Sequence, residues 1–186
     1  LSLASWRGAA ESFRAAGERR GACVARTNAG FALLQLGIND EAETALRDAL
    51  DRRQRANLAE DETLAATWSN LGEALLGTNR VTAAIALHER ALALRQRLLP
   101  ADHPELAASL TRLGEALRQN GELTRARSLL EQASARWAAP ARKLAGAAAL
   151  PLMPGYALAL NSLAMVHDAE GRRGEAERAW LEALES

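Results

Sequence analysis

Two carboxylates held close together can serve as general acid and base, and this chain carries Glu73 and Glu115 at matching points of two segments 42 residues apart. Histidine and cysteine could ligate a metal or form a nucleophile–base pair. The chain has His88, His103, His167 and a lone Cys23. None of the histidines stands at metal-ligand spacing from another His or from the cysteine, and Cys23 has no recognisable His or Asn partner motif. His88 and His167 fall where the sequence pattern asks for large packing residues, and His103 falls at a helix start. Gly171-Arg172-Arg173-Gly174 lacks the pattern of a phosphate-cradling loop and reads as a turn between helices. Glu73 and Glu115 are expected to face solvent with ordinary acidity, in a recognition or solubility role. The chain is therefore expected not to be an enzyme, and to take no cofactor and no metal.

Arg52, Arg53, Arg55, Arg95 and Arg97 gather towards the ends of two predicted helices, and the pairs Arg53/Arg95 and Arg55/Arg97 are again 42 apart. A basic column could meet nucleic acid, but no aromatic platform is interleaved with it. We read these arginines as complements to helix C-termini and as partners for Glu60, Asp61 and Glu62. Formal net charge is zero, from 23 basic and 23 acidic side chains, so no global field draws the domain to nucleic acid or anionic lipid. The apolar stretch from Leu144 to Pro154 is too short to span a bilayer and is broken by proline. With one cysteine no internal disulfide can form, which fits a cytoplasmic setting.

The elements that position these residues repeat. Trp68-x-x-Leu71-Gly72-x-x-Leu75 recurs 42 residues later as Leu110-x-x-Leu113-Gly114-x-x-Leu117, and 42 earlier as Arg26-x-x-Ala29-Gly30-x-x-Leu33. A fourth copy, Leu160-x-x-Leu163-Ala164-x-x-His167, follows the third at an offset of 50. Each copy has a second half with alanine, a large residue and alanine: Ala42, Leu46, Ala49; Ala84, His88, Ala91; Ala126, Leu130, Ala133; Ala176, Trp180, Ala183. Gly37, Asn79, Gly121 and Gly171 separate the halves, and Gly and Asn tolerate the left-handed conformation that ends helices. Each unit thus reads helix, tight turn, helix, with one apolar face per helix. The small residues let paired helices approach, and the large ones fill the space beside them. A hairpin of this kind cannot bury its apolar face alone, so neighbours must stack into a superhelix with a concave face. Ala and Leu dominate the 48% hydrophobic content and β-branched residues are sparse, as an all-α fold requires.

The pattern resembles the tetratricopeptide repeat, whose signature is W-x2-L-G-x2-Y, then A-x3-F and a later Pro. Trp68-Ser69-Asn70-Leu71-Gly72 and Leu113-Gly114 carry the likeness, while Leu33, Leu75, Leu117 and His167 stand where the family has Tyr. The spacing of 42, against the usual 34, and Asp102-His103-Pro104-Glu105 are similar to the kinesin-light-chain type. The resemblance implies a right-handed superhelical solenoid of antiparallel helix pairs. Its expected organisation is 1–22 as the second helix of an upstream repeat, then repeats over 23–56, 65–98 and 107–140. A longer Pro/Gly-containing linker at 141–156 and a truncated fourth repeat at 157–186 follow. In that linker Arg142–Leu150 could extend the preceding helix, with Pro151, Pro154 and Gly155 forming a turn. Both ends look cut from something longer.

In that family the first helix of each repeat lines the concave groove. Carried over by position, the groove would comprise Thr27, Asn28 and Phe31, then Ser69, Asn70 and Glu73, then Thr111, Arg112 and Glu115, then Leu158, Asn161 and Met165, with Val24, Ala66, Ala108 and Ser162 beside them. Asn28, Asn70 and Arg112 recur at 42-residue spacing; asparagine both donates and accepts, and can grip a peptide backbone. Arg112 could take a carboxylate in a bidentate pair, and Phe31, Leu158 and Met165 would be apolar anchors. A clamp for a chaperone's C-terminal carboxylate needs lysines where Thr27 and Ala108 stand, and is not expected. The implied partner is a protein or peptide ligand, with no nucleic acid and no membrane. The expected function is a protein–protein interaction scaffold within a larger regulatory or signalling protein, bacterial by resemblance. A peptide-sensing receptor domain that controls an attached output domain and a self-associating homo-oligomer are the alternatives.

Overall fold

The computed structural model describes residues 2–144 and 154–185. The chain forms two compact units, Leu1–Leu98 and Leu99–Ser186. The first contains α1 (Leu3–Ala15), α2 (Arg19–Gln35), α3 (Asn39–Arg55), α4 (Glu62–Gly77) and α5 (Val81–Leu98). The second contains α6 (Pro104–Gln119), α7 (Leu123–Leu144), α8 (Pro154–Ala169) and α9 (Arg173–Glu185). There is no strand among the described residues, so the fold is all-α as expected. In the first unit each helix packs on its successor, and α2 also packs on α4; in the second, α6 likewise packs on both α7 and α8.

The hairpin turns form for the expected reason. Gly37 has φ 72° and Asn79 φ 61°, and this left-handed step folds the chain back onto the helix end. Ile38 N–H then donates to the Leu33 carbonyl at 3.0 Å, and Arg80 N–H to that of Leu75 at 2.8 Å, which satisfies carbonyls the helix leaves open. Gly17 and Asn57 adopt the same conformation at two further helix ends. Helix starts are capped by local chemistry. The Asp61 carboxylate accepts from Leu64 N–H at 3.1 Å. His103 Nδ1 accepts from Glu105 N–H at 3.2 Å, with Pro104 in the first helical turn. The first helices begin at Arg19, Glu62 and Pro104, ahead of Cys23, Ala65 and Ala107.

Within the hairpins, small residues sit under large ones. A Cβ on Gly30 would meet Leu46 Cγ at 2.6 Å, on Gly72 it would meet His88 Cε1 at 2.7 Å, and on Gly114 it would meet Leu130 Cγ at 2.7 Å. Leu46, His88 and Leu130 are buried in consequence. Trp180, at the matching place opposite Ala164, remains 39% exposed. Trp68 is sandwiched differently: it packs with Ala65, Ala91 and Leu94, and the Arg90 guanidinium lies 4.2 Å from its ring centroid.

Helix α7 runs on to Leu144, and α8 begins at Pro154, so Pro154 and Gly155 open a helix instead of forming the expected turn. Proline suits that position because the first helical N–H has no intrahelical partner. The remainder of the expected linker, 145–153, lies outside the described residues.

Candidate functional site

In the first unit the candidate surface is carried by α2 and α4. Thr27 and Thr67 join these helices: their hydroxyls lie 2.8 Å apart, while Thr27 also donates to the Cys23 carbonyl at 3.1 Å and Thr67 to that of Thr63 at 2.6 Å. Thr27 is therefore buried and does not offer its hydroxyl to a groove. Ser69 and Thr111 are likewise buried, and Thr111 donates to the Ala107 carbonyl at 3.0 Å. The positional carry-over is corrected for these three residues. A short side chain whose hydroxyl bonds to its own helix can be enclosed at a helix–helix contact without an orphaned polar group.

The other candidates stand further out. Asn70 is almost enclosed at 9% exposure, Asn28 is half-buried, and Phe31 is exposed. Glu73 is half-buried, its Oε1 3.9 Å from His88 Nε2. Asn28 and Phe31 line one open cavity of about 1050 Å³ together with Leu3 and Trp6 of α1, and Gln35 and Leu36 beyond the aromatic ring. Trp6 and Leu3 were missed by sequence reasoning. The three-residue step between them places both on one face of α1, a cue available in the sequence had α1 been weighed as part of a site.

In the second unit Arg112 and Glu115 are half-buried on α6, and Leu158, Asn161 and Met165 are exposed on α8. Arg118 donates twice to the Glu115 carboxylate, at 2.9 and 2.7 Å, and Gln119 donates at 3.0 Å. Burial pushes the Glu115 carboxyl up, but these donors outweigh it and hold the group below the ordinary range, so it stays an anion. The expectation of ordinary acidity fails here because Arg118 sits one turn further along the same helix. Asn161 Nδ2 lies 4.0 Å from Met165 Sδ, so these two side chains cover each other.

The residues first considered for chemistry are structural in their surroundings. His88 is enclosed beneath Gly72. His167 is buried, and desolvation together with the nearby Arg172 pushes its pKa down, which favours the neutral ring. Burial pushes the enclosed Cys23 thiol up, away from the thiolate a nucleophile would need. No group of three or more His, Cys, Asp or Glu side chains suited to a metal occurs among the described residues. The basic column divides. Arg53 meets Asp61 at 2.8 Å, Arg95 meets Glu62 at 2.7 Å, and Arg97 meets Glu60. Arg52 and Arg55 turn instead to Asp48 and Asp51 on their own helix, each at 2.9 Å. No described helix is long and apolar enough to cross a membrane.

The family model described as "Tetratricopeptide repeat" matches residues 21–97 and 63–139. No curated protein sequence matches the chain. Among solved structures, the kinesin-light-chain TPR-like repeats of Podosopora anserina superpose with a TM-score of 0.67 at 22% identity, over 97% of this chain and 92% of that one. BtubC (BKLC) from P. vanneervenii gives 0.72 at 17% identity, over 98% and 72% respectively. YrrB, described as a TPR protein with an unusual peptide-binding site, gives 0.59 at 17% identity, over 94% and 81%.

Proposed function

The chain belongs to the tetratricopeptide-repeat family, and from that premise we propose that it is a protein-interaction module that binds a peptide or protein segment along its first helices. The repeats would be the hairpins α2/α3, α4/α5, α6/α7 and α8/α9, with the boundaries 23–56, 65–98, 107–140 and 157–186. The observation that carries the reading is the cavity in which Asn28 and Phe31 stand side by side: an exposed aromatic anchor beside an amide able to pair with a peptide bond. Asn70 on α4 adds a second amide to the same unit, and the exposed Leu158 and Met165 provide apolar contacts in the other. YrrB, of the same fold, is described by its peptide-binding site, which supports the class of ligand. The place of the module is proposed as a cytoplasmic regulatory protein, its partner a protein and neither a nucleic acid nor a membrane.

The test is selection from a displayed peptide library, followed by titration of the selected peptide against variants. Phe31→Ala and Asn28→Ala should each weaken binding by about 1–2 kcal/mol while the helical circular dichroism stays intact. A folded double variant that binds the selected peptide as the parent does would refute the groove. One observation favours self-association as a second reading: α9 presents Trp180, Leu181 and Leu184 to solvent on one face. Light scattering across concentration decides it, since a monomer at all concentrations rejects a homo-oligomer.

A further inference from the structure

At one end of the α2/α3 hairpin, away from the groove residues, the structure holds an open pocket of about 480 Å³ lined by Arg14, Gly17, Arg19, Arg52, Arg55 and Ala56. Four of its six lining residues are arginines and none is acidic. They come from the last turns of α1 and α3 and the first residue of α2. Carboxylates pair with three of them, each from one turn earlier on the same helix: Glu11 with Arg14 and Asp51 with Arg55 through one terminal nitrogen, and Asp48 with Arg52 through Nε. Asp48 takes Arg52 through Nε, at 2.9 Å to both oxygens, which fixes the guanidinium plane and leaves its two terminal nitrogens for another acceptor. Arg19 has no ion-pair partner among the described residues.

Complementing helix C-termini accounts for Arg14, Arg52 and Arg55, which lie in the last turns of α1 and α3, but not for Arg19, which opens α2. The Phe13 and Arg53 carbonyls at those ends are taken by Glu18 N–H at 2.8 Å and Leu58 N–H at 3.2 Å. The N-cap of α2, Glu18, makes no side-chain cap bond, and the first N–H of the helix, that of Arg19, donates to the Gly17 carbonyl at 3.0 Å. The next hairpin shows the alternative arrangement. There Glu60, Asp61 and Glu62 fill the corresponding end and neutralise Arg97, Arg53 and Arg95. The short turn between α1 and α2 contains only Glu18 in place of that acidic run.

We propose that the pocket is a binding site for a phosphate dianion. Planar guanidinium forks match its oxygens in bidentate pairs, and the pocket is too small and too free of aromatic rings to serve a nucleic-acid strand. The dianion arrives either as a phosphorylated side chain of a bound protein or as a free phosphate.

The experiment is calorimetric titration of the whole chain, at fixed ionic strength, with inorganic phosphate and separately with a phosphoserine peptide and its unphosphorylated form. The variant is Arg19→Ala with Arg55→Ala, both on exposed side chains, checked for unchanged helicity; Arg97→Ala, held by Glu60, is the control. The expected result is phosphate-dependent binding that weakens at least about tenfold in the double variant and is unchanged in the control. Phosphopeptide binding tighter than inorganic phosphate identifies a modified partner as the source, and the reverse order identifies a free oxyanion. The proposal is overturned if neither probe binds, if binding survives the double variant, or if a single-stranded oligonucleotide binds more tightly through the same two arginines. A groove that fails its own test leaves this result untouched, because the two sites share no residue.

Discussion

The third and fourth helix hairpins of this chain have the same plan and different interiors. In α6/α7 a glycine lies beneath Leu130, and the leucine is fully enclosed. In α8/α9 the same point is Ala164, itself enclosed, and Trp180 stands 39% exposed. One methyl group on the first helix thus accompanies a large side chain left at the surface of the second. The comparison teaches that the glycines of the first helices are there for distance: without a Cβ, the partner helix can place a branched side chain directly on the backbone. That advantage offsets the roughly 1 kcal/mol by which glycine weakens a helix interior relative to alanine.

The contrast can be broken from the filled side. Leu130→Ala should have the largest effect, a loss of about 2–5 kcal/mol, because the surrounding helices cannot close the void completely. Urea denaturation followed by circular dichroism measures it, and a loss below about 1 kcal/mol would show that the hairpin collapses freely. Gly114→Ala comes next. The new Cβ would lie 2.7 Å from Leu130 Cγ, and overpacking of this kind costs about 1–3 kcal/mol, even though alanine favours the helix. A stabilised Gly114→Ala protein would mean that Leu130 can move aside. The smallest effect belongs to Trp180→Ala, expected within about 1 kcal/mol of the parent in the same assay. A larger loss would show that Trp180 is anchored despite its exposure, and the two hairpins would then differ less than they look.

The hairpins were legible in the sequence because their causes are local. Gly37, Asn79, Gly121 and Gly171 mark turns through a backbone conformation other residues avoid, and all four adopt it. The pairs Gly30/Leu46, Gly72/His88 and Gly114/Leu130 could be read from a fixed offset of small and large residues. The surface was less legible, since exposure is decided by neighbours distant in sequence. Thr27 and Phe31 stand one helical turn apart on α2, yet one is enclosed against Thr67 and the other faces the solvent. Arg52 and Arg53 are adjacent, but a helix turns by about 100° between them, so Arg53 reaches Asp61 across the hairpin end and Arg52 stays with Asp48. Nothing in the order of residues shows that Arg14 and Arg19 join Arg52 and Arg55; only the packing of both α1 and α3 on α2 does that.

The hydroxyl pair between α2 and α4 has one more property. Each threonine owns a single proton and has two acceptors within reach. Thr67 lies 2.6 Å from the Thr63 carbonyl, Thr27 lies 3.1 Å from that of Cys23, and the two hydroxyls lie 2.8 Å apart. Three contacts therefore share two protons, and either hydroxyl can be the donor across the seam. Valine at either position removes the link between the helices and leaves the remaining threonine its own helix carbonyl.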